Sequence, residues 1–593
     1  MRAIVLAVGF LLAVVSPAAA SSARVWVTTP DGAEKMHDRG TVDFHPGGSS
    51  ALTVSVDPSR RYQSMDGFGA SITDSSARVL YRLTKPQREA AMRSLFADDK
   101  LSFLRQPMGA SDFVEGPHYT YDDVPAGKTD YRLRHFSIAH DRKQILPLLR
   151  RALALNPKLK VMGTPWSPPA WMKTNQSLVG GRLIDSPRIY DAYARYFVKF
   201  VRAYKRAGVP IYALTLQNEP QNRKPNAYPG MDMPVRQEAK LIEALGPKLQ
   251  RAGLRTKLLG YDHNWEEHPN DIANTPPGED PETEYPTDLL NSRAGRWLAG
   301  TAFHCYAGDV KRQTELQHRF PQKGVWFTEC SGSHGPTDPP AQVFSDTLKW
   351  HTRNLVLGVT RNWGKTVVNW NLALDPNGGP HNGGCDTCTG VLTVGPGDTF
   401  SQSAEYFTLG HLARFVAPGA ERTASTSFGT TGWNGQIMDV AFRNRDGSTA
   451  LVVHNENDDP RTFAVAAGGQ SFDYTLPGGA LATFVWKAPL DDGYRLLDPP
   501  RGPTEAVDDD ATTTWSGSDL NLDLGRTQRV RRVVVDAGTA AAPGPATLTI
   551  GGKTWTAKGD GQLTTFDIPA TQARYLRVAF STPATVADVR IYR

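Results

Sequence analysis

Leu214-Thr215-Leu216-Gln217-Asn218-Glu219-Pro220 is an apolar run that ends directly in Asn-Glu-Pro, and Val325-Trp326-Phe327-Thr328-Glu329-Cys330 repeats the arrangement further along the chain. Around these two stretches, from Asp66 to residue 415, short apolar runs alternate with amphipathic helical segments. The runs are Gln63–Gly69, Leu101–Gln106, Lys160–Thr164, Ile211–Gln217, Lys257–Tyr261, Thr301–Tyr306, Val325–Glu329 and Thr366–Asn371. Between them, Pro86–Phe96, Pro187–Ala207, Val235–Ala252 and Ala341–Leu357 carry helical periodicity. Eight strands with intervening helices over roughly 350 residues predict an α/β fold, a (β/α)8 TIM barrel. Periodicity alone also allows an open doubly wound sheet. The dinucleotide fingerprint of that fold is missing, because Gly67-Phe68-Gly69 lacks a third glycine and lies within a strand. In the barrel count Glu219 ends strand four and Glu329 strand seven, which face each other across the mouth where barrel enzymes do their chemistry.

Two opposed carboxyls are what glycoside hydrolysis needs: one protonates the leaving oxygen while the other attacks the anomeric carbon or activates water. Asn218 suits a donor to the sugar 2-hydroxyl. Trp166, in Pro165-Trp166-Ser167-Pro168-Pro169-Ala170-Trp171 after strand three, and Trp370, ending strand eight, offer faces on which sugar rings stack. His304 and Tyr306 close strand six; the tyrosine is placed to hydrogen-bond the nucleophile, and the plain alternative for His304 is a packed, hydrogen-bonded histidine. No Ser/His/Asp set and no group of metal ligands stands at the strand ends, so no cofactor and no metal are expected.

The chain has 593 residues, 40% of them hydrophobic and 21% charged, with a net charge of +6. That is too long for one core, and without a concentrated Lys/Arg run it gives no reason to expect a nucleic-acid partner. Arg2, the apolar stretch Ala3–Val15 and Ser16-Pro17-Ala18-Ala19-Ala20 read as an export signal over residues 1–23, too short for a membrane anchor. The expectation is a secreted monomer whose partner is a carbohydrate. Of the four cysteines, Cys385 and Cys388 form a lone C-x-x-C pair, read as a local disulfide; Cys305 and Cys330 are free, or paired if their strands are neighbours.

Residues 24–56 read as strands, as do residues 416–487, and the two flanks are expected to form one β-sandwich beside a barrel at 57–415. A Pro/Gly/Asp-rich linker at 488–504 leads to an all-strand C-terminal domain, a second β-sandwich of jelly-roll type, at 505–593.

Several motifs in order resemble glycoside hydrolase family 30, and its glucosylceramidase branch in particular. They are Arg105-Gln106-Pro107-Met108-Gly109-Ala110-Ser111-Asp112-Phe113, the run from Pro165 to Asn175, Ala194-Arg195-Tyr196-Phe197-Val198-Lys199-Phe200, and Trp370-Asn371-Leu372-Ala373-Leu374 with Gly378-Gly379-Pro380. The resemblance implies a retaining β-glycosidase with Glu219 as acid/base and Glu329 as nucleophile. It further implies Asn218 at the 2-hydroxyl, Arg105 beside the nucleophile, Asp112 and Trp166 on the outer hydroxyls of the −1 sugar, and Trp370, His304 and Tyr306 as further contacts. The plain alternatives are a structural ion pair for Arg105 and a helix cap for Asp112. The sequence departs from the animal glucosylceramidases after Pro380, where His381-Asn382-Gly383-Gly384-Cys385-Asp386-Thr387-Cys388 replaces an aromatic and basic loop. The family also contains endo-β-1,6-glucanases, so β-1,6-glucan is the expected substrate, with glucosylceramide, xylan, galactan or a non-catalytic sugar-binding role as alternatives. The C-terminal domain resembles a discoidin-type (coagulation factor type C) module, on Ala506–Trp515, Leu522-Asp523-Leu524-Gly525 and the closing strands Tyr575–Val578 and Val589–Tyr592.

Overall fold

The eight apolar runs become eight parallel strands, Gly67–Ser71, Phe103–Pro107, Lys160–Thr164, Ile211–Leu214, Lys257–Asn264, Leu298–His304, Gly324–Glu329 and Thr366–Asn369. The computed structural model describes residues 22–46, 52–335, 337–427, 437–487, 497, 500–507, 513–537, 544–557 and 563–593. All but the last two residues of the expected export signal, and most of the expected linker, lie outside these.

Each barrel strand pairs with the next in the sequence, and the eighth returns to the first with Thr366 opposite Gly67. A bridge between Val325 and Gly364 joins the seventh to the eighth. The sheet is therefore sequential and closed, not doubly wound. Seven strands each send one residue inward to a central cluster: Phe103, Met162, Ala213, Leu259, Ala302, Trp326 and Val368. Small alanines and large rings share this cluster, the mix of sizes that fills such interiors. Gly69 shows how tight the first strands lie, because a Cβ there would stand 1.9 Å from the Phe103 carbonyl oxygen.

The helices cover the outside. Pro187–Arg206 illustrates why: Ser186 caps it by accepting from the Ile189 N–H, and Pro187 suits the first turn. Tyr190, Tyr193, Phe197, Phe200 and Tyr204 recur at three- and four-residue spacing and are buried against the barrel. No helix among the described residues is long and apolar enough to cross a membrane.

The two flanks share one ten-stranded array. Ser22–Thr28 pairs with Leu481–Trp486, and Thr53–Ser64 lies between Glu421–Ser425 and Arg461–Ala467. Their inward residues, among them Val25, Val54, Leu451, Phe463 and Phe484, form a core of their own. One boundary needs correction. Residues 57–64, assigned above to the barrel, continue a sandwich strand, with Ser64 opposite Glu421 and Asp57 opposite Ala424. Their polar sequence hid this, since the pairing uses main-chain groups that any side chain supplies.

The C-terminal residues form a five-stranded antiparallel sheet built on two long strands, Trp515–Asp536 and Leu563–Val586. Register breaks between Asp523 and Gln528 and between Val530 and Arg532 let both halves face one core of Leu520, Leu522, Val533, Val535, Phe566 and Val578. Buried Arg590 ties this domain to the side sandwich, donating to Asp536 at 2.9 Å and to Thr426 at 3.4 Å.

Candidate active site

At the C-terminal mouth of the barrel, Glu329 is the last residue of the seventh strand, while Glu219 lies five residues beyond the shortened fourth strand. Glu219 takes a left-handed backbone conformation, φ 48°, which turns its carboxyl toward the barrel axis, and its N–H donates to the Asp262 carbonyl at 3.0 Å. Glu219, His304 and Glu329 present carboxylate and ring-nitrogen atoms that all lie within 4.8 Å of one another.

Arg105, fully buried in the middle of the second strand, organises the floor. It donates to Glu329 Oε2 through Nη1, and through Nη2 to Asn218 Oδ1 at 2.6 Å and Asp262 Oδ2 at 2.9 Å. Because Arg105 fixes the oxygen of Asn218, the amide NH2 is the end left to face the cavity. The guanidinium lies 4.8 Å from the Trp166 ring, and Trp166 stacks on Trp370 at 5.0 Å. Tyr306 donates to Glu329 Oε1 at 3.0 Å, while Asn222 donates to Glu219 Oε2 at 3.1 Å. Each of the two glutamates thus has its own set of donors.

Asp112 sits under the loop that follows strand eight. Cys385 and Cys388 are joined as a disulfide, and the loop closes so tightly that a Cβ on Gly384, whose φ is +73°, would come 2.3 Å from Asp112 Oδ2. Gly383 packs against Asn226–Tyr228 from the far side of the mouth. Burial, joined by the charges of Glu329 and Glu219, pushes Asp112 well above the usual carboxylate range. A neutral Asp112 can donate as well as accept, and its buried Oδ1 has no protein partner. The second cysteine pair, Cys305 with Cys330, is also a disulfide, because strands six and seven are neighbours.

Asp262 was not anticipated. It is fully buried at the centre of the site and accepts from Thr215 and Thr328 at 2.6 Å each, from Arg105, and from His304 Nε2 at 3.1 Å. Burial opposes its charge, but Arg105, His304 and Thr215 overcome this and hold it far below the usual range. The other ring nitrogen of His304 lies 3.4 Å from Glu219 Oε1. Burial would lower His304; the charge of Glu329, the bond to Asp262 and the nearby Glu219 carboxylate instead raise it to about 9. Both its nitrogens then carry hydrogen, so the trio of Glu219, His304 and Glu329 is not a ready metal site.

The two glutamates are shifted in opposite directions. Burial pushes Glu329 up, against the charges of His304 and Arg105. Burial would also raise Glu219, but the His304 bond, the charges of His263 and His304, and Asn222 hold it at about 2. In these ionisation states the proton lies on His304, whose Nδ1 stands 3.4 Å from Glu219 Oε1. Moving it across to Glu219 converts an ion pair into a neutral pair, a change favoured when a sugar displaces water and lowers the local dielectric.

Of the residues expected at the site, Arg105, Asn218, His304 and Tyr306 touch one or both glutamates or each other's partners, and Trp166 and Trp370 stack beside Arg105. Two carboxyls this close match the separation of a double displacement, shorter than the gap an inverting enzyme keeps for its attacking water.

Comparison with known proteins agrees with this geometry. Residues 65–416 match the glycosyl hydrolase family 30 TIM-barrel domain, and residues 419–484 its β-sandwich domain. The chain is 32% identical to an endo-1,6-beta-D-glucanase of Neurospora crassa, over 74% of this chain and 89% of the relative. It is 28% identical to the lysosomal acid glucosylceramidase of Mus musculus, over 74% and 84%. Among solved structures, the endo-beta1,6-glucanase BT3312 superposes with a TM-score of 0.69 at 31% identity, covering 79% of this chain and 99% of that one.

Proposed function

The chain belongs to glycosyl hydrolase family 30 and is a β-glycosidase; on that premise we propose that it cleaves β-1,6-linked glucan with retention, Glu329 acting as nucleophile and Glu219 as acid/base. The observation that carries this reading is the approach of the two carboxyls to within 4.8 Å, each with its own donors. In the first step Glu219 gives its proton to the leaving oxygen as Glu329 bonds to the anomeric carbon. In the second, Glu219 takes a proton from water, the water oxygen bonds to that carbon, and Glu329 is released. Arg105 and Tyr306 stabilise Glu329 as a leaving carboxylate, and Asn218 donates to the 2-hydroxyl. Asp112, Trp166 and Trp370 shape the pocket for the rest of the ring.

The β-1,6-glucan assignment is supported by the relatives that carry that activity in their names, at 30% identity or above. Export is supported by the pairing of all four cysteines, which suits an oxidising compartment. For the C-terminal domain we propose a discoidin-type module that holds glucan. In support, Tyr575 is 63% exposed beside a hollow of about 330 Å³ lined by Arg501, Asn521, Asp523 and Arg577.

Product analysis on β-1,6-glucan, glucosylceramide, xylan and aryl β-glycosides tests the substrate. Release of glucose or gluco-oligosaccharides from β-1,6-glucan is expected, and turnover of glucosylceramide or xylan in its place overturns the assignment. Glu329→Ala and Glu219→Ala should each abolish turnover of an aryl β-glucoside, with azide rescuing the second to a β-glycosyl azide. Normal turnover by the Glu329 variant would sink the mechanism.

A further inference from the structure

The Cys305–Cys330 disulfide lies inside the catalytic constellation. Cys305 directly precedes Tyr306 and directly follows His304; Cys330 directly follows Glu329. The strand ladder breaks at this level: Phe303 pairs with Phe327 but His304 with Glu329, so Thr328 is skipped and the ends of strands six and seven lose their regular register. A bulge aims a side chain but loosens the main chain that carries it. The disulfide spans the strand ends just past that break, with the Cα atoms 5.5 Å apart. Tyr306 and Glu329 are thereby joined twice, once through the bridged backbone and once by the hydroxyl-to-carboxylate bond of 3.0 Å.

Tyr306 needs such help. It is 40% exposed, its ring meets only His304, edge to face at 6.2 Å, among the ring contacts of the described residues, and its main-chain N–H donates to Asn264 at 3.0 Å. Cys330 is fully buried, and its carbonyl also accepts from the Trp370 N–H at 2.7 Å, so the bridged segment extends to strand eight. Reaching Glu329 with a hydroxyl demands placement within a few tenths of an ångström, which an exposed side chain on an untied loop does not keep.

We propose that the Cys305–Cys330 disulfide is a positioning element of the active site, holding the Tyr306 hydroxyl on the Glu329 carboxylate. The inference rests on Glu329 being the nucleophile. A merely structural disulfide would change thermal stability and leave kinetics alone. A positioning disulfide acts through Tyr306, so its loss and the loss of the tyrosine hydroxyl should not add.

The test is a double-mutant cycle on the full chain, assayed with an aryl β-glucoside: C305A/C330A, Y306F, and the triple variant. C305A/C330A should lose about tenfold or more in kcat with KM changed less than about twofold, and its acid limb should move to higher pH because Glu329 loses a donor. Y306F should show the same pattern, and adding C305A/C330A to it should cost less than about twofold more. Additive losses, or a fall in melting temperature with kcat unchanged, overturn the proposal. If C305A/C330A does not fold, native wild type and native Y306F are compared before and after tris(2-carboxyethyl)phosphine, with thiol mapping to show that this bridge has opened. The same outcomes apply. Glu329→Ala is the control that separates the two claims: activity in that variant fails the nucleophile assignment, whereas an additive cycle with an inert Glu329→Ala fails the positioning role alone.

Discussion

Replacing Asp262 with asparagine keeps the shape at the centre of the site and removes one charge. The two carboxylate oxygens of Asp262 serve four donors: Arg105 and Thr215 on one, His304 and Thr328 on the other. An amide has one oxygen, so its NH2 must meet one of those pairs. Threonine hydroxyls can turn and accept; arginine cannot, because it has no lone pair and does not lose its proton. The amide therefore offers its oxygen to Arg105 and its nitrogen to His304, which must deprotonate at Nε2. Its pKa should fall from about 9 to its ordinary 6.5 or below. At about 1.36 kcal/mol for each tenfold change, this is on the order of 3 kcal/mol. The sign follows from linkage. A histidine with a raised folded-state pKa stabilises the fold fully below its unfolded pKa, and the contribution fades as pH rises through the folded value. Wild type should therefore lose on the order of 3 kcal/mol of barrel stability from pH 6.5 to above 9, and Asp262→Asn should lose little of it. The variant should also lose at least about a hundredfold in kcat/KM, since Glu219 loses the protonated histidine beside it and Arg105 the negative charge of its partner. The assay is urea unfolding followed by tryptophan fluorescence across that pH range, with kcat/KM on an aryl β-glucoside. An alkaline fall as steep in Asp262→Asn as in wild type, with kcat/KM unchanged, would refute the reasoning.

Gly384→Ala should push Asp112 out of place, since the new methyl would lie 2.3 Å from Oδ2 on a backbone of positive φ. Steady-state kinetics should show kcat/KM down about tenfold or more while the melting temperature moves little. Arg105→Lys keeps the charge but cannot reach Glu329, Asn218 and Asp262 together; kcat should fall by about a hundredfold or more, measured on the same substrate. Substituting Asn222 with Ala removes a donor from Glu219, and the pH profile of kcat/KM should show the Glu219 ionisation moving upward from about 2.

The parts legible in the sequence were those set by local pattern. Each barrel strand is a short apolar run bounded by polar residues, and all eight were visible for that reason. Glu219 and Glu329 stood out because each follows such a run, even though strand four stops at Leu214, short of the expected Gln217. Asp262 was missed because the fifth strand was ended at Tyr261. Tyr261 and Asp262 both adopt positive φ, at 74° and 66°, and Tyr-Asp-His-Asn reads locally as the start of a loop. Its partners come from strands two, four, six and seven, and no spacing along the chain records that. The same holds for Cys305 and Cys330, whose pairing depends on the order of strands in the sheet. In the C-terminal domain Trp515–Asp536 is one bent strand, although its register break between Asp523 and Gln528 carries the turn-like residues of a true loop.

The central claim is double displacement at two carboxyls held within 4.8 Å. Proton NMR of the reducing end first released from β-1,6-glucan, recorded before mutarotation, tests it most directly. The β-anomer is expected at the outset, decaying to the equilibrium mixture. Initial release of the α-anomer would mean a single displacement by water, and would contradict the roles given to Glu219 and Glu329.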